Sequence, residues 1–142
     1  MTMPPHDLIE RTRLFALAVL ALCRKIPQTA EAQEAASQLR KAANSVRSNY
    51  RSARRGRSRA EFQSKLHVAF EEADECVDWL EYLRDGAIVD NPALLQEARE
   101  LASILAAAVR TARQNTARVK GVPDSWLHFQ LLTYFPTLTF TL

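Results

Sequence analysis

The sequence predicts an all-α protein, an up-down-up-down antiparallel four-helix bundle with an apolar, extended C-terminal tail. Two observations favour this fold class. The 142 residues include only three glycines, and few β-branched residues stand before position 120. Apolar residues also recur every three or four positions through four segments of about twenty residues or more, joined by short breaks. We expect a single bundle domain over residues 1–120, followed by the tail over residues 121–142.

The first predicted helix begins near Asp7 and ends before Pro27. Apolar residues run without a break from Leu14 to Cys23, a stretch too short to span a bilayer. The run ends in a poor lipoprotein cleavage box, because Leu22 is large and acidic residues precede the run. We therefore expect a cytoplasmic protein whose first helix is buried on more than one side. The core seam of this helix is Leu8, Thr12, Phe15, Val19, Leu22 and Ile26.

The second and third helices are separated by a short break at Gly56. The second helix is predicted from about Thr29 to Arg54, and a glycine just beyond it is a common terminator. Ser58 and Glu61 form a capping box that opens the third helix. The inner faces of these two helices carry Leu39, Ala43, Val46, Tyr50, Ala53, Phe62, Leu66, Ala69, Ala73, Cys76 or Val77, Leu80 and Leu83.

The third helix is predicted to end at Asp85-Gly86. The fourth begins at Asn91-Pro92, where a capping residue precedes a proline at the first helical position, and runs to about Arg118. Threonines and a proline in residues 121–142 favour an extended segment over a fifth helix, and Asp124 is the only carboxylate there. Such an apolar tail is expected to pack against other protein surface, either on its own bundle or on a neighbouring subunit. The core of the fourth helix is Leu94, Ala98, Leu101, Leu105, Ala108 and Ala112.

Charge is unevenly distributed along the predicted bundle. In this topology the starts of the first and third helices and the ends of the second and fourth lie together. Residues 7–15, 44–69 and 108–120 make up this end and carry a formal charge of +10. The opposite end, residues 16–43 and 70–107, carries −6, although the net charge of the chain is only +3. The distribution of charge therefore predicts an anionic partner more clearly than the total does.

The positive charge is concentrated where the second helix meets the third. Arg40, Lys41 and Arg47 are expected to reach the acids of the third helix, but the arginines at 51–59 lie roughly a dozen ångströms or more beyond them. Arginine suits phosphate because its planar fork donates two parallel hydrogen bonds. The alternatives are pairing with an acidic neighbouring subunit and an idle solvated face. The candidate nucleic-acid-binding residues, here called the arginine-rich pole, are Arg47, Arg51, Arg54, Arg55, Arg57, Arg59, Lys65, Arg110, Arg113 and Lys120.

No catalytic or cofactor site is evident in the sequence. A di-iron bundle needs Glu-x-x-His pairs on two helices, and no glutamate here has a histidine at that spacing. His6, His67 and His128 are scattered singly, and the chain has no glycine-rich phosphate loop. Cys23 and Cys76 lie in apolar patterns typical of buried thiols. We therefore expect no enzymatic activity, no metal and no cofactor.

One stretch is distinctive, and it reads SQLRKAANSVRSNYRSARRGRS over residues 37–58. The pattern continues with RAEF at 59–62, KL at 65–66, EEADE at 71–75 and WLE at 79–81. It resembles the bacterial four helix bundle protein family. The founding members of that family are encoded in intervening sequences of large-subunit ribosomal RNA genes.

The resemblance covers roughly residues 7–118 and implies a bundle that assembles as a ring, typically a homopentamer, with no established enzymatic activity. A related bundle, the accessory variability determinant of diversity-generating retroelements, forms a basic pentamer that works with a reverse transcriptase and its template RNA. The family commonly has a small residue or proline where Arg47 stands, and alanine where Ser48 stands. The additional charge of Arg47 favours an anionic partner. The tail after Gly121 lies outside the resemblance.

Charge and resemblance together predict a non-enzymatic, oligomeric four-helix bundle that binds RNA or a ribonucleoprotein through the arginine-rich pole. The alternative is a protein-interaction scaffold or accessory subunit, for example of a reverse transcriptase, without nucleic-acid affinity of its own. Leu14, Leu17, Leu20 and Ala21 beside the seam of the first helix favour contacts between subunits. No membrane partner is expected.

Overall fold

Four α-helices account for most of the computed structural model, which describes residues 7–118. In chain order they are α1 (Leu8–Cys23), α2 (Ala30–Arg54), α3 (Arg59–Asp85) and α4 (Pro92–Arg118). Each helix packs on the next one in the chain, and a smaller contact between α4 and α1 completes the bundle. The predicted all-α four-helix bundle is confirmed. The predicted tail over residues 121–142 lies outside the described residues.

Each helix begins at a side chain that accepts a hydrogen bond from the backbone amide three residues further on. The four capping residues are Asp7, Thr29, Ser58 and Asn91. Such caps satisfy amides that have no partner inside the helix, and for this reason the predicted starts agree with the structure to within one residue. The capping box of α3 differs from the usual arrangement, in which the glutamate accepts from the amide of the capping residue itself. The carboxylate of Glu61 accepts from the amide of Arg57, 2.9 Å away.

The end of α1 comes earlier than predicted. The helix stops at Cys23, and the next residues form a tighter turn in which the amides of Lys25 and Ile26 bond to carbonyls three residues back. Ile26 nevertheless stays in the core, with 2% of its surface exposed. The apolar seam therefore continues beyond the helix and does not mark its end. The ends of α2 and α3 match the predicted ones.

The core follows the predicted seams closely. All predicted core residues are buried except Leu8, which is half-buried. Of the two residues that the sequence offers for one inner position of α3, Cys76 is buried and Val77 is not. Thr12 is the one buried polar side chain among the residues that the structure describes, and its hydroxyl donates to the carbonyl of Leu8 at 2.9 Å. Because this hydroxyl finds its acceptor within α1, it is tolerated in an apolar core. No helix within residues 7–118 is long and apolar enough to cross a membrane.

The register between α4 and its two neighbours is not uniform. Near the start of α3, the Gln63 side-chain amide donates to the carbonyl of Ala112 at 2.9 Å, so the start of α3 meets the end of α4 as predicted. Arg11 in α1, in contrast, pairs with Glu97 at 2.7 Å and also with Glu100, both in the first part of α4. The start of α1 therefore contacts the first part of α4, whereas the sequence predicts that it meets the end of α4.

Candidate nucleic-acid interface

Most residues of the arginine-rich pole lie at the turn between α2 and α3. Arg51, Arg55, Arg57, Arg110 and Arg113 are exposed. The half-buried members are Arg47, Arg54, Arg59 and Lys65. Lys120 lies outside the described residues.

The turn is tight because Gly56 allows the two helices to approach closely. A Cβ atom at Gly56 would lie 3.2 Å from the carbonyl oxygen of Ala53 and 3.3 Å from the amide nitrogen of Phe62. Both neighbours are backbone atoms, so any larger residue would push the helix ends apart. The short turn therefore holds Arg55 and Arg57 at the tip of the helix pair.

Two of the half-buried arginines have polar neighbours inside α2. The Arg47 guanidinium donates to the side-chain oxygen of Asn44 at 3.2 and 3.3 Å, a contact that the sequence spacing of three residues allows. Arg54 lies beside the buried hydroxyl of Tyr50. Burial raises the pKa of Tyr50, and the positive charge of Arg54 partly opposes this shift. Both contacts orient a guanidinium without neutralising its charge.

The exposed arginines of the pole keep their charges uncompensated. Within residues 7–118, no carboxylate forms an ion pair with Arg51, Arg55, Arg57, Arg110 or Arg113. The contact of Gln63 with the carbonyl of Ala112 joins the last turns of α4 to the first turns of α3. The uncompensated charges of α4 therefore lie at the same end of the α3–α4 pair as the α2–α3 turn.

Two acidic side chains of α3 find their partners within α3. Glu71 pairs with His67 at 3.2 Å, and Glu75 accepts a hydrogen bond from the indole of Trp79 at 3.0 Å. Ion pairs from Arg40, Lys41 and Arg47 to these acids, which the sequence predicts, are not formed in the described part of the chain. His67 and Trp79 each stand four residues from the acid that they contact, which is the spacing of neighbours on one helix face.

The described residues hold no cluster of three or more side chains able to bind a metal ion. Cys23 and Cys76 are both buried and unpaired with each other. Burial raises the pKa of both thiols, and the Cys23 thiol donates to the carbonyl of Ala36 at 3.6 Å. A protonated, buried thiol is a poor nucleophile. Nothing in these residues indicates catalysis.

Comparison with known proteins identifies the family. A family model described as 23S rRNA-intervening sequence protein matches residues 6–109, more than half of the chain. The chain belongs to the 23S rRNA-intervening sequence protein family. The match includes the whole α2–α3 turn and ends one residue before Arg110, so the basic residues at the end of α4 lie outside it.

A solved structure supports the fold assignment of this family member. The solved protein, of unknown function, comes from the S23 ribosomal protein family of Bacteroides thetaiotaomicron. It is 23% identical and superposes with a TM-score of 0.66, covering 72% of this chain and 94% of its own. At this level of identity the likeness shows the fold alone. No curated protein is significantly similar to the chain.

Proposed function

We propose that this protein is a cytoplasmic, non-enzymatic RNA-binding protein whose arginine-rich pole contacts the phosphate backbone. One observation carries the proposal. The exposed arginines at the tip of α2–α3 and near the end of α4 have no carboxylate partner within the described residues. A phosphate therefore does not have to displace an existing ion pair before it binds.

The chemistry of the pole suits a phosphate backbone. Each guanidinium donates up to two parallel hydrogen bonds to one phosphate, and each contact releases condensed counterions from the nucleic acid. Contacts of this kind set affinity and orientation but carry no information about base sequence. We therefore expect binding that depends strongly on salt and weakly on sequence. The family takes its name from intervening sequences in 23S rRNA, which supports RNA as the polyanion.

We also propose that the protein acts as a homo-oligomer, with the ring of five subunits that the family resemblance implies. Four large apolar side chains of α1 are exposed, which supports a contact surface on this helix. They are Ile9, Leu14, Leu17 and Leu20. A ring would bring several poles onto one RNA and raise a weak phosphate affinity through effective concentration.

The proposal is tested by fluorescence anisotropy with a structured RNA and a duplex DNA at low and physiological salt. A triple variant, Arg51→Gln, Arg54→Gln and Arg55→Gln, should weaken binding to unrelated RNAs alike. It should also reduce the slope of log K against log salt by about two to three units, since each lost phosphate contact removes about 0.7 to 0.9.

A matched control changes the same number of charges at the other end of the bundle. Arg24→Gln, Lys25→Gln and Lys41→Gln alter three exposed cations outside the pole. This control should leave the salt slope unchanged. An equal loss in both triple variants would mean that only the net charge matters and would contradict the site. Loss of all binding by the native protein at physiological salt would contradict RNA binding itself.

A further inference from the structure

A groove of about 330 Å³ lies between α1 and α2, on a surface apart from the tip of the α2–α3 turn. Its lining includes Arg13, Leu17 and Leu20 from α1 and Arg40, Asn44 and Arg47 from α2. Leu17 is 47% and Leu20 38% exposed, and no carboxylate of the described residues lines the groove. A surface of this kind offers two exposed leucines between cations, so its partner should bring apolar side chains flanked by acids.

Two of the three arginines of the groove have no carboxylate partner among the described residues. Arg13 pairs with Glu10 of the preceding helical turn at 2.6 Å, and Arg47 is held by the neutral amide of Asn44. Arg40 forms no ion pair with any residue that the structure describes. An incoming carboxylate therefore meets at least one guanidinium without a competing acid.

The complementary chemistry lies on α3 of the same chain. Glu71, Glu75, Asp78 and Tyr82 follow each other at intervals of four, three and four residues, and all four are exposed. This spacing places them along one face of the helix. Tyr82 is 55% exposed and packs edge-to-face on Trp79, with ring centres 5.6 Å apart. We call these five residues the α3 stripe, in which exposed Tyr82 and half-buried Trp79 lie beside three carboxylates.

The dimensions of the two surfaces match. The groove residues of α2 at 40, 44 and 47 and the acids of α3 at 71, 75 and 78 have the same spacing, which spans about 10 Å along each helix. Their charges are opposite, and each surface adds apolar side chains. We propose that the α1–α2 groove of one copy receives the α3 stripe of a second copy. This inference rests on the proposed self-association and names the surfaces that form it.

The two surfaces lie on different parts of the bundle, because α3 packs mainly on α2 and α4, whereas α1 packs mainly on α2. A contact between two different patches is heterologous, so it repeats from copy to copy and closes into a ring if the rotation allows. It covers Arg47, a member of the arginine-rich pole that lines the groove, but leaves the tip of the α2–α3 turn uncovered, since Arg51, Arg55 and Arg57 belong to neither surface. Self-association and RNA binding are therefore compatible.

Two variants of the full chain separate this contact from other modes of assembly. The groove variant combines Leu17→Ser with Arg40→Ser, and the stripe variant combines Asp78→Ser with Tyr82→Ser. Each should lower the association constant about 100-fold or more and sediment as a monomer. An equimolar mixture should form a 1:1 dimer and nothing larger, because one intact groove meets one intact stripe.

A matched control, Ala18→Ser with Arg24→Ser, changes an exposed alanine and an exposed arginine of the α1 region outside the groove. It should keep the native mass. Circular dichroism establishes that every variant remains folded. A groove variant that keeps the native mass would overturn the inference, as would two monomeric variants that do not dimerise when mixed.

A native protein that sediments as a monomer would instead contradict the proposed self-association, and this inference with it. RNA anisotropy is recorded on the same samples. Monomeric groove and stripe variants should still bind RNA, with the slope of log K against log salt that one arginine-rich pole produces. Failure of the interface and failure of RNA binding are therefore distinguishable.

Discussion

Ala87 is in the left-handed backbone region, with φ of 55°, in the turn after α3. This conformation lets the amides of Ile88 and Val89 reach back to the carbonyl of Leu83, at 3.0 and 3.3 Å, and closes the end of the helix. The preceding glycine, Gly86, has an ordinary negative φ. The strain of the turn therefore falls on an alanine, whose Cβ atom is disfavoured there.

Replacing Ala87 with glycine should stabilise the protein. Ala87→Gly removes the unfavourable Cβ contact of the left-handed conformation, and the gain exceeds the added flexibility of the unfolded chain, for a net of about 0.5–1 kcal/mol. Urea unfolding measures the free energy. The control Ala18→Gly, at an exposed position inside α1, should destabilise by about 1 kcal/mol. The same sign for both changes would contradict the strain at Ala87.

The two thiols should be unreactive in the native protein. Because burial raises the pKa of Cys23 and Cys76, both keep their protons at pH 8, where an exposed thiol is already partly ionised. In native buffer, a thiol-reactive dye should label the two cysteines only as fast as the protein unfolds. In concentrated urea, where the chain is unfolded, the dye should label both immediately. Rapid labelling of either thiol in native buffer would contradict their burial.

Each helix of this bundle begins where a capping side chain stands, so helix starts depend on local chemistry. Asp7, Thr29, Ser58 and Asn91 each satisfy an amide three residues away. Such contacts need no information from the rest of the fold, and for this reason the sequence predicted them correctly. The end of α1 lacks a comparable local signal, since an apolar seam continues past it.

Removal of the α3 cap should destabilise the bundle measurably. Ser58→Ala leaves the amide of Glu61 without its 3.1 Å acceptor and should lower the free energy of unfolding by about 1 kcal/mol. Ser64→Ala, an exposed serine inside the same helix, is the matched control and should have little effect. Equal effects of the two substitutions would mean that the cap contributes nothing.

At the scale of the whole molecule, Arg11 ties α1 to α4 through ion pairs with Glu97 and Glu100. The Arg11 guanidinium binds both carboxylate oxygens of Glu97, at 2.7 and 2.9 Å, and the side chains are only 24% and 30% exposed. The glutamates hold the pKa of Arg11 above its ordinary value, so the arginine stays charged under all usual conditions. A bidentate pair with this degree of burial should contribute more than an ordinary surface pair.

Loss of this contact should loosen α1 before the other helices. Arg11→Gln should lower the free energy of unfolding by about 1 kcal/mol, allowing for partial solvent screening, and should speed amide hydrogen exchange in α1 selectively. Arg84→Gln, which breaks the exposed pair of neighbouring residues Arg84 and Asp85, serves as the control and should have no measurable effect. Uniform exchange across all four helices would contradict a local role.

The sequence by itself determined the four helices, their starts and their inner faces, because caps and apolar periodicity act over a few residues. It also placed the arginines of the turn beyond the reach of the acids of α3, since helical rise converts sequence separation into distance. Only the tertiary structure decided which charges are neutralised. Arg11 of α1 is paired by Glu97 of α4, Glu81 of α3 is paired by Arg99 of α4, and a groove opens between α1 and α2. These outcomes depend on how neighbouring helices are aligned and rotated, and many side chains set that alignment together.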